Sequence, residues 1–218
     1  MKMSIHKASK LFIFEAFVTF QLLFIGTSSI VASEMYPHII GDFGIGICFG
    51  LAVFSGILFF GRFSTAHMNP AASLFAFLNN EINLKRLTVI LFAQSVGALF
   101  ASYLILQLAP YNSNLGTTFP RAGILNTWVI EFGLTFLLMT TIWIARKQSV
   151  LRIAIALGFI IFLEAWLGGP FTGASMNPIR SIAPAIFSGN LEHLWIYISA
   201  PFAAVLIVFL IIRKKTNN

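Results

Sequence analysis

Gly173-Ala174-Ser175-Met176-Asn177-Pro178-Ile179-Arg180 has a counterpart 108 positions earlier, Thr65-Ala66-His67-Met68-Asn69-Pro70-Ala71-Ala72, counted from Asn177 to Asn69. Both contain Ala-x-Met-Asn-Pro followed by a small or apolar residue. Each Asn-Pro pair reads as a helix start. Asn is a preferred N-cap, and Pro is pre-set for the first helical position, where its missing N–H costs nothing. An isolated Asn-Pro is ordinarily a turn or a cap with no further role. Two of them in matching contexts, each preceded by a stretch too irregular to continue a helix, point to paired half-helices that begin inside a membrane and frame a binding site or pore.

The surrounding composition supports a membrane setting. The chain is 58% hydrophobic and only 10% charged, has 24 Phe, and has a mean hydropathy of +0.88. A soluble domain of 218 residues could not hide so much apolar surface, so the reading is a polytopic membrane protein. The one cysteine, Cys48, excludes an intramolecular disulfide and leaves the redox compartment open. The net charge of +7 sits at segment ends rather than on one face, the pattern of cytoplasmic loops and not of a nucleic-acid surface.

Taken in order, Lys2, Lys7 and Lys10 precede a first span from about Leu11 to Ala32, too long for a signal peptide and carrying Glu15 and Gln21 inside it. A loop with Glu34 and Asp42 leads to a second span, about Gly41 to Gly61. The half-helix after Asn69 ends near Asn79-Asn80. At ~1.5 Å per residue it is ~15 Å long, half of a ~30 Å hydrocarbon core. Lys85 and Arg86 precede a third span, about Leu87 to Leu108, and the polar stretch Ala109 to Gly123 joins two halves.

The second half repeats the first. Glu131-Phe-Gly-Leu-Thr-Phe matches Glu15-Ala-Phe-Val-Thr-Phe. A fifth span covers about Val150 to Leu167, a second half-helix runs from Pro178 to near Ser188-Gly189, and a last span covers about Leu194 to Ile212. The expected fold class is thus an all-α membrane protein: six transmembrane helices and two re-entrant half-helices in one channel domain, 1–218, with internal repeats about 10–108 and 124–212. Of 14 Lys and Arg, 12 fall on the side read as cytoplasmic, which places both termini there. Three spans per half is an odd number, so the halves are inverted and the half-helices enter from opposite faces.

The chemistry follows from the helix starts. Each helix N-terminus carries unpaired N–H groups and about half a positive charge. Two of them at the midplane repel cations and protons while tolerating neutral polar molecules. Each capping Asn uses its carbonyl on its own helix, which leaves its NH₂ free, so Asn69 and Asn177 are expected to donate to a passing water and interrupt a proton wire. Irregular backbone is tolerated at this depth only where it lines a cavity, so His67, Gly173 and Ser175 are expected on the pore wall. No nucleophile–base pair or metal cluster stands at useful spacing; neither enzyme activity, cofactor nor metal is expected. A coupled transporter would need ion-binding carboxylates where this sequence offers Asn.

The Asn-Pro-Ala and Asn-Pro-Ile-Arg motifs resemble those of the major intrinsic protein family, the aquaporins and aquaglyceroporins. The resemblance covers nearly the whole chain: Glu15, His67 to Ser73, Ala93-Gln94-Ser95-Val96-Gly97-Ala98, Glu131 and Gly169 to Pro184. Ile179 departs from the usual Ala. It implies a selectivity filter at four positions, which ungapped spacing from the motifs places on Phe49, Ala165, Ala174 and Arg180. It also implies that Glu15 and Glu131 are structural carboxylates accepting hydrogen bonds from the re-entrant loops, and that the protein is a homotetramer with one pore per subunit.

Water-selective members usually carry His at the position of Ala165, so two alanines imply a wider, less polar ring. Ser181 and Ala185 look water-channel-like, whereas the run Gly-Ala-Ser-Met-Asn-Pro is most similar to plant nodulin-like intrinsic proteins and their bacterial relatives. The function implied is a passive channel in the plasma (inner) membrane for water and small neutral solutes of the glycerol, urea or metalloid-acid type, excluding protons and ions. A strictly water-selective channel and a closed-pore structural protein are the alternatives. Glu164, next to Ala165 but ~100° around a helix, reads as a support for the loop holding Arg180, with solute contact as the alternative.

Overall fold

The computed structural model describes residues 5–36, 39–112 and 114–216; Lys2 lies outside them, as does the side chain of Lys215. Helices are the only regular elements among the described residues: α1 (Ile5–Met35), α2 (Gly41–Phe60), α3 (Pro70–Leu78), α4 (Leu84–Leu108), α5 (Ile124–Ala145), α6 (Val150–Thr172), α7 (Pro178–Ser188) and α8 (Leu194–Thr216). Six of them, all but α3 and α7, are long and apolar enough to cross a membrane. Their outward residues, such as Leu51, Phe92, Phe100 and Phe159, are exposed. An apolar surface of that extent calls for lipid as its solvent.

The packing of the first half recurs in the second. Helix α1 lies on α4 as α5 lies on α8, and each half-helix docks on a span of the opposite half, α7 on α4 and α3 on α8. The halves meet where α2 crosses α6. A Cβ on Gly50 would lie 2.7 Å from the carbonyl oxygen of Gly158, and one on Gly158 would lie 2.9 Å from that of Gly50. Small residues are what permit so close a crossing.

The largest differences from the expected helix ends are at the start of α1 and the end of α6. Helix α1 begins at Ile5, a turn and a half before the apolar run. Helix α6 continues through Gly168-Gly169-Pro170 to Thr172 instead of stopping near Leu167. Gly168 is buried, with room for no Cβ beside Leu134. Gly173 then stops α6 in the left-handed conformation (φ +85°), its N–H donating to the Gly169 carbonyl at 2.9 Å.

Candidate functional site

The two short helices begin as their sequences dictate. Asn69 Oδ1 accepts from the Ala71 N–H at 2.8 Å, Asn177 Oδ1 accepts from the Arg180 N–H at 3.4 Å, and a proline occupies the first turn of each. The backbone entering each cap is strained in the same way in both halves. Ala66 and Met68 have φ of +46° and +53°, and Ala174 and Met176 have φ of +41° and +51°. A left-handed conformation at non-glycine residues persists only where the surroundings over-determine it.

Two buried carboxylates supply that restraint. Glu15, on α1, accepts from the Met68 N–H (2.9 Å), Gln94 Nε2 (3.0 Å), Ser64 Oγ (3.0 Å) and Thr65 Oγ1 (3.0 Å). Glu131, on α5, accepts from the N–H groups of Ser175 and Met176 and from Thr172 Oγ1, each at 2.8 Å. A carboxylate that accepts several short bonds is an acceptor that water cannot displace inside a membrane.

The motifs also hold each other. Asn69 Nδ2 donates to the Met176 carbonyl and Asn177 Nδ2 to the Met68 carbonyl, both at 2.8 Å. The sequence reading left both NH₂ groups wholly free; one donated bond from each goes across to the opposite loop. Each amide carries two N–H bonds, so one per Asn stays available to the cavity that both residues line.

That cavity, of about 270 Å³, runs between the two halves. Its wall includes Phe49, Ala165, Ala174 and Arg180 together, and also His67 and Ser175. The Arg180 Cζ lies 5.4 Å from the Phe49 ring centroid. Arg180 Nη1 donates to the Gly116 carbonyl at 2.8 Å, while Nε and Nη2 have no partner among the described residues. The guanidinium is therefore pinned on one side, and its other two nitrogens are buried without such a partner. His67 Nδ1 lies 3.1 Å from Ser73 Oγ, which also accepts from Gln94 Nε2 at 3.0 Å. Ser175 Oγ donates to the Asn177 carbonyl at 2.9 Å and lies 2.6 Å from Ser181 Oγ.

Gly173, expected on the pore wall, is not on it. Its left-handed turn sets it against Thr118, 2.9 Å from where a Cβ would reach, so it closes α6 instead. Glu164 is buried at 3% exposure and does not line the cavity. Neither of its oxygens has a hydrogen-bond partner among the described residues, so no direct bond to the Arg180 loop stands behind the support reading.

Three further residues contribute that the motifs do not mark. Gly116, in the polar stretch joining the halves, holds Arg180, and Glu81 and Arg146 line the cavity at its basic end. Their signal was present: a glycine in a polar linker, and the one acidic residue among the cations of that face.

The profile of the family described as Major intrinsic protein matches residues 2–211. Nodulin-26 of Glycine max is 36% identical over 191 residues, covering 86% of this chain and 70% of the relative. Glycerol uptake facilitator protein-like 6 of Lactiplantibacillus plantarum is 34% identical over 210 residues, covering 88% of this chain and 91% of the relative. The X-ray structure of the aquaglyceroporin from Plasmodium falciparum has the same fold, with a TM-score of 0.83 at 24% identity over 93% of this chain and 94% of that one.

Proposed function

The chain belongs to the major intrinsic protein family, and on that premise we propose that it is a passive channel for water and small neutral solutes, glycerol and urea among them, that excludes protons and ions. The observation that carries the reading is the reciprocal pairing of Asn69 and Asn177 with the loops opposite. It sets two helix N-termini, each about half a positive charge, against one cavity. A water passing there accepts one N–H from each Asn, so its own hydrogens point away along the pore and cannot relay a proton between neighbours. Cations meet the same positive end charges, reinforced by Arg180.

The filter follows from four side chains. Phe49 forms an apolar wall, Arg180 brings a fixed charge with two nitrogens unsatisfied by the described residues, and Ala165 and Ala174 contribute only methyl groups. A carbon backbone slides along the ring and the alanines while its hydroxyl or carbonyl oxygens accept from Arg180. We place the protein in the plasma (inner) membrane with both termini cytoplasmic, because the basic residues gather at that face. We read it as a homotetramer with one pore per subunit, and as no enzyme.

Reconstitution into proteoliposomes tests this. Osmotic shrinkage and glycerol and urea uptake are measured in parallel with proton and potassium conductance. Accelerated solute and water flux without added conductance is the expected result. Uptake that requires a sodium or proton gradient overturns the channel reading.

A further inference from the structure

The cavity ends at the basic face between two charged residues that none of the sequence motifs contains. Helix α3 stops at Leu78, Asn80 turns in the left-handed conformation (φ +60°), and the Glu81 N–H donates back to the Ala76 carbonyl at 2.9 Å. This turn presents the Glu81 carboxylate to the mouth. Arg146 caps the end of α5 opposite it, with its Nε 3.9 Å from Glu81 Oε1. The guanidinium rests against the Trp143 ring, 3.0 Å from Cζ to the centroid, and Nη1 donates to the Trp143 carbonyl. Both residues line the cavity and both remain partly exposed, so an entering solute meets them first.

The charge census makes Glu81 singular. Of the seven acidic residues, Glu15, Glu131 and Glu164 are buried, and Glu34, Asp42 and Glu192 lie toward the opposite face. Glu81 is the one acidic side chain among Arg62, Lys85, Arg86, Arg146, Lys147 and Arg152. Deeper in, the half-helix N-termini and Arg180 reject cations, but the same charges favour anions. A mouth of one sign with low-dielectric walls raises the local concentration of the opposite ion.

We propose that Glu81 is a specificity-determining residue of this channel, which keeps small inorganic anions out by neutralising Arg146 at the inner mouth. The inference rests on the channel reading above. Removing the carboxylate leaves a positive entrance leading to a positive centre, so chloride and nitrate are drawn in. Removing both charges restores the wild-type charge balance at the entrance. A purely mechanical clamp would behave differently, because deleting both partners would damage it at least as much as deleting one.

The test uses the full-length protein in vesicles, with water flux from light scattering and chloride flux from a halide-sensitive dye, each variant read as the ratio of anion to water flux. Glu81→Gln is expected to raise that ratio roughly tenfold. Glu81→Gln with Arg146→Gln, and the exchange Glu81→Arg with Arg146→Glu, are expected to stay as tight as the wild type. Glu81→Ala carries the same test should Glu81→Gln not assemble. An unchanged ratio in a water-conducting Glu81 variant, or a double variant that leaks as much as the single one, overturns this inference alone. A wild-type protein that moves no water overturns the channel reading and this inference with it.

Discussion

Arg180 donates from Nη1 to the carbonyl of Gly116 at 2.8 Å, a bond that fixes this buried cation to the loop joining the two halves of the chain. The linker therefore positions the cation of the proposed filter. Thr118 Oγ1, two residues on, donates to Ser181 Oγ at 2.9 Å and ties the same loop to the first turn of α7.

Replacing Arg180 with Val should remove the fixed charge while leaving the helix start intact, because Asn177 caps through the backbone N–H of position 180. Proton and ammonium-type leak should rise while water flux is largely kept. Measuring both in one vesicle preparation decides it; unchanged selectivity would refute the filter assignment.

Gly116→Ala should disturb the filter from a distance. The residue has φ +70°, and a Cβ would come within 3.1 Å of Thr27 Cβ and 3.2 Å of its carbonyl oxygen. A left-handed alanine costs about 1–2 kcal/mol, and the crowding shifts the carbonyl that holds Arg180. The expected phenotype is a weaker version of Arg180→Val, seen as partial cation leak with folded protein on size exclusion.

Ala165→His with Ala174→Cys should narrow the ring and add a donor to it, cutting glycerol flux more than water flux. Both positions face the cavity, so the new thiol should make the pore sensitive to mercurials. Exclusion of glycerol by the unsubstituted protein would show that these four side chains do not govern width.

Glu131→Gln should destabilise the second re-entrant loop. The acid accepts three bonds of 2.8 Å, two of them from backbone N–H groups at Ser175 and Met176. A Gln turns an N–H donor toward at least one of them. Bonds to a charged acceptor contribute about 1.5–3 kcal/mol each, so loss of even one should lower the detergent melting temperature measurably. A variant as stable and as active as the wild type would show that the loop holds itself.

Protonation of Glu81 should stabilise the fold rather than weaken it. Burial pushes its carboxyl above the usual range, and Arg146 only partly pulls it back. A carboxyl raised on folding contributes stability that is fully present below its unfolded value and lost as pH rises through its folded value. Glu81→Gln should therefore be no less stable than the wild type at neutral pH, and the two melting curves should converge on acidification from neutral toward pH ~4. An exposed pair of this kind is worth about 0–1 kcal/mol, so a loss larger than that at neutral pH would contradict the reading.

The sequence by itself determined the architecture, because its signals are local and repeated. Six runs too apolar for water, two Asn-Pro starts with helices too short to cross, and a matched Glu-to-Thr spacing define an inverted repeat without reference to any contact. It also marked Asn69 and Asn177 as the caps of the two half-helices, which both are. Helix ends were less legible: Gly168-Gly169-Pro170 reads as a break, yet α6 runs through it, because packing against Leu134 favours the small residue there. Only the tertiary structure decided what crosses between distant segments. The Asn69–Met176 and Asn177–Met68 bonds join positions 107 and 109 residues apart, and Arg180 reaches Gly116 over 64. Gly173 left the pore wall for the same reason, since its side of the turn is filled by Thr118. Glu81 and Arg146 became neighbours only when α3 and α5 came to rest around one mouth. A helix start is written in two adjacent residues, whereas the partner of a buried carbonyl or a charge at a pore entrance is set by how the halves close on each other.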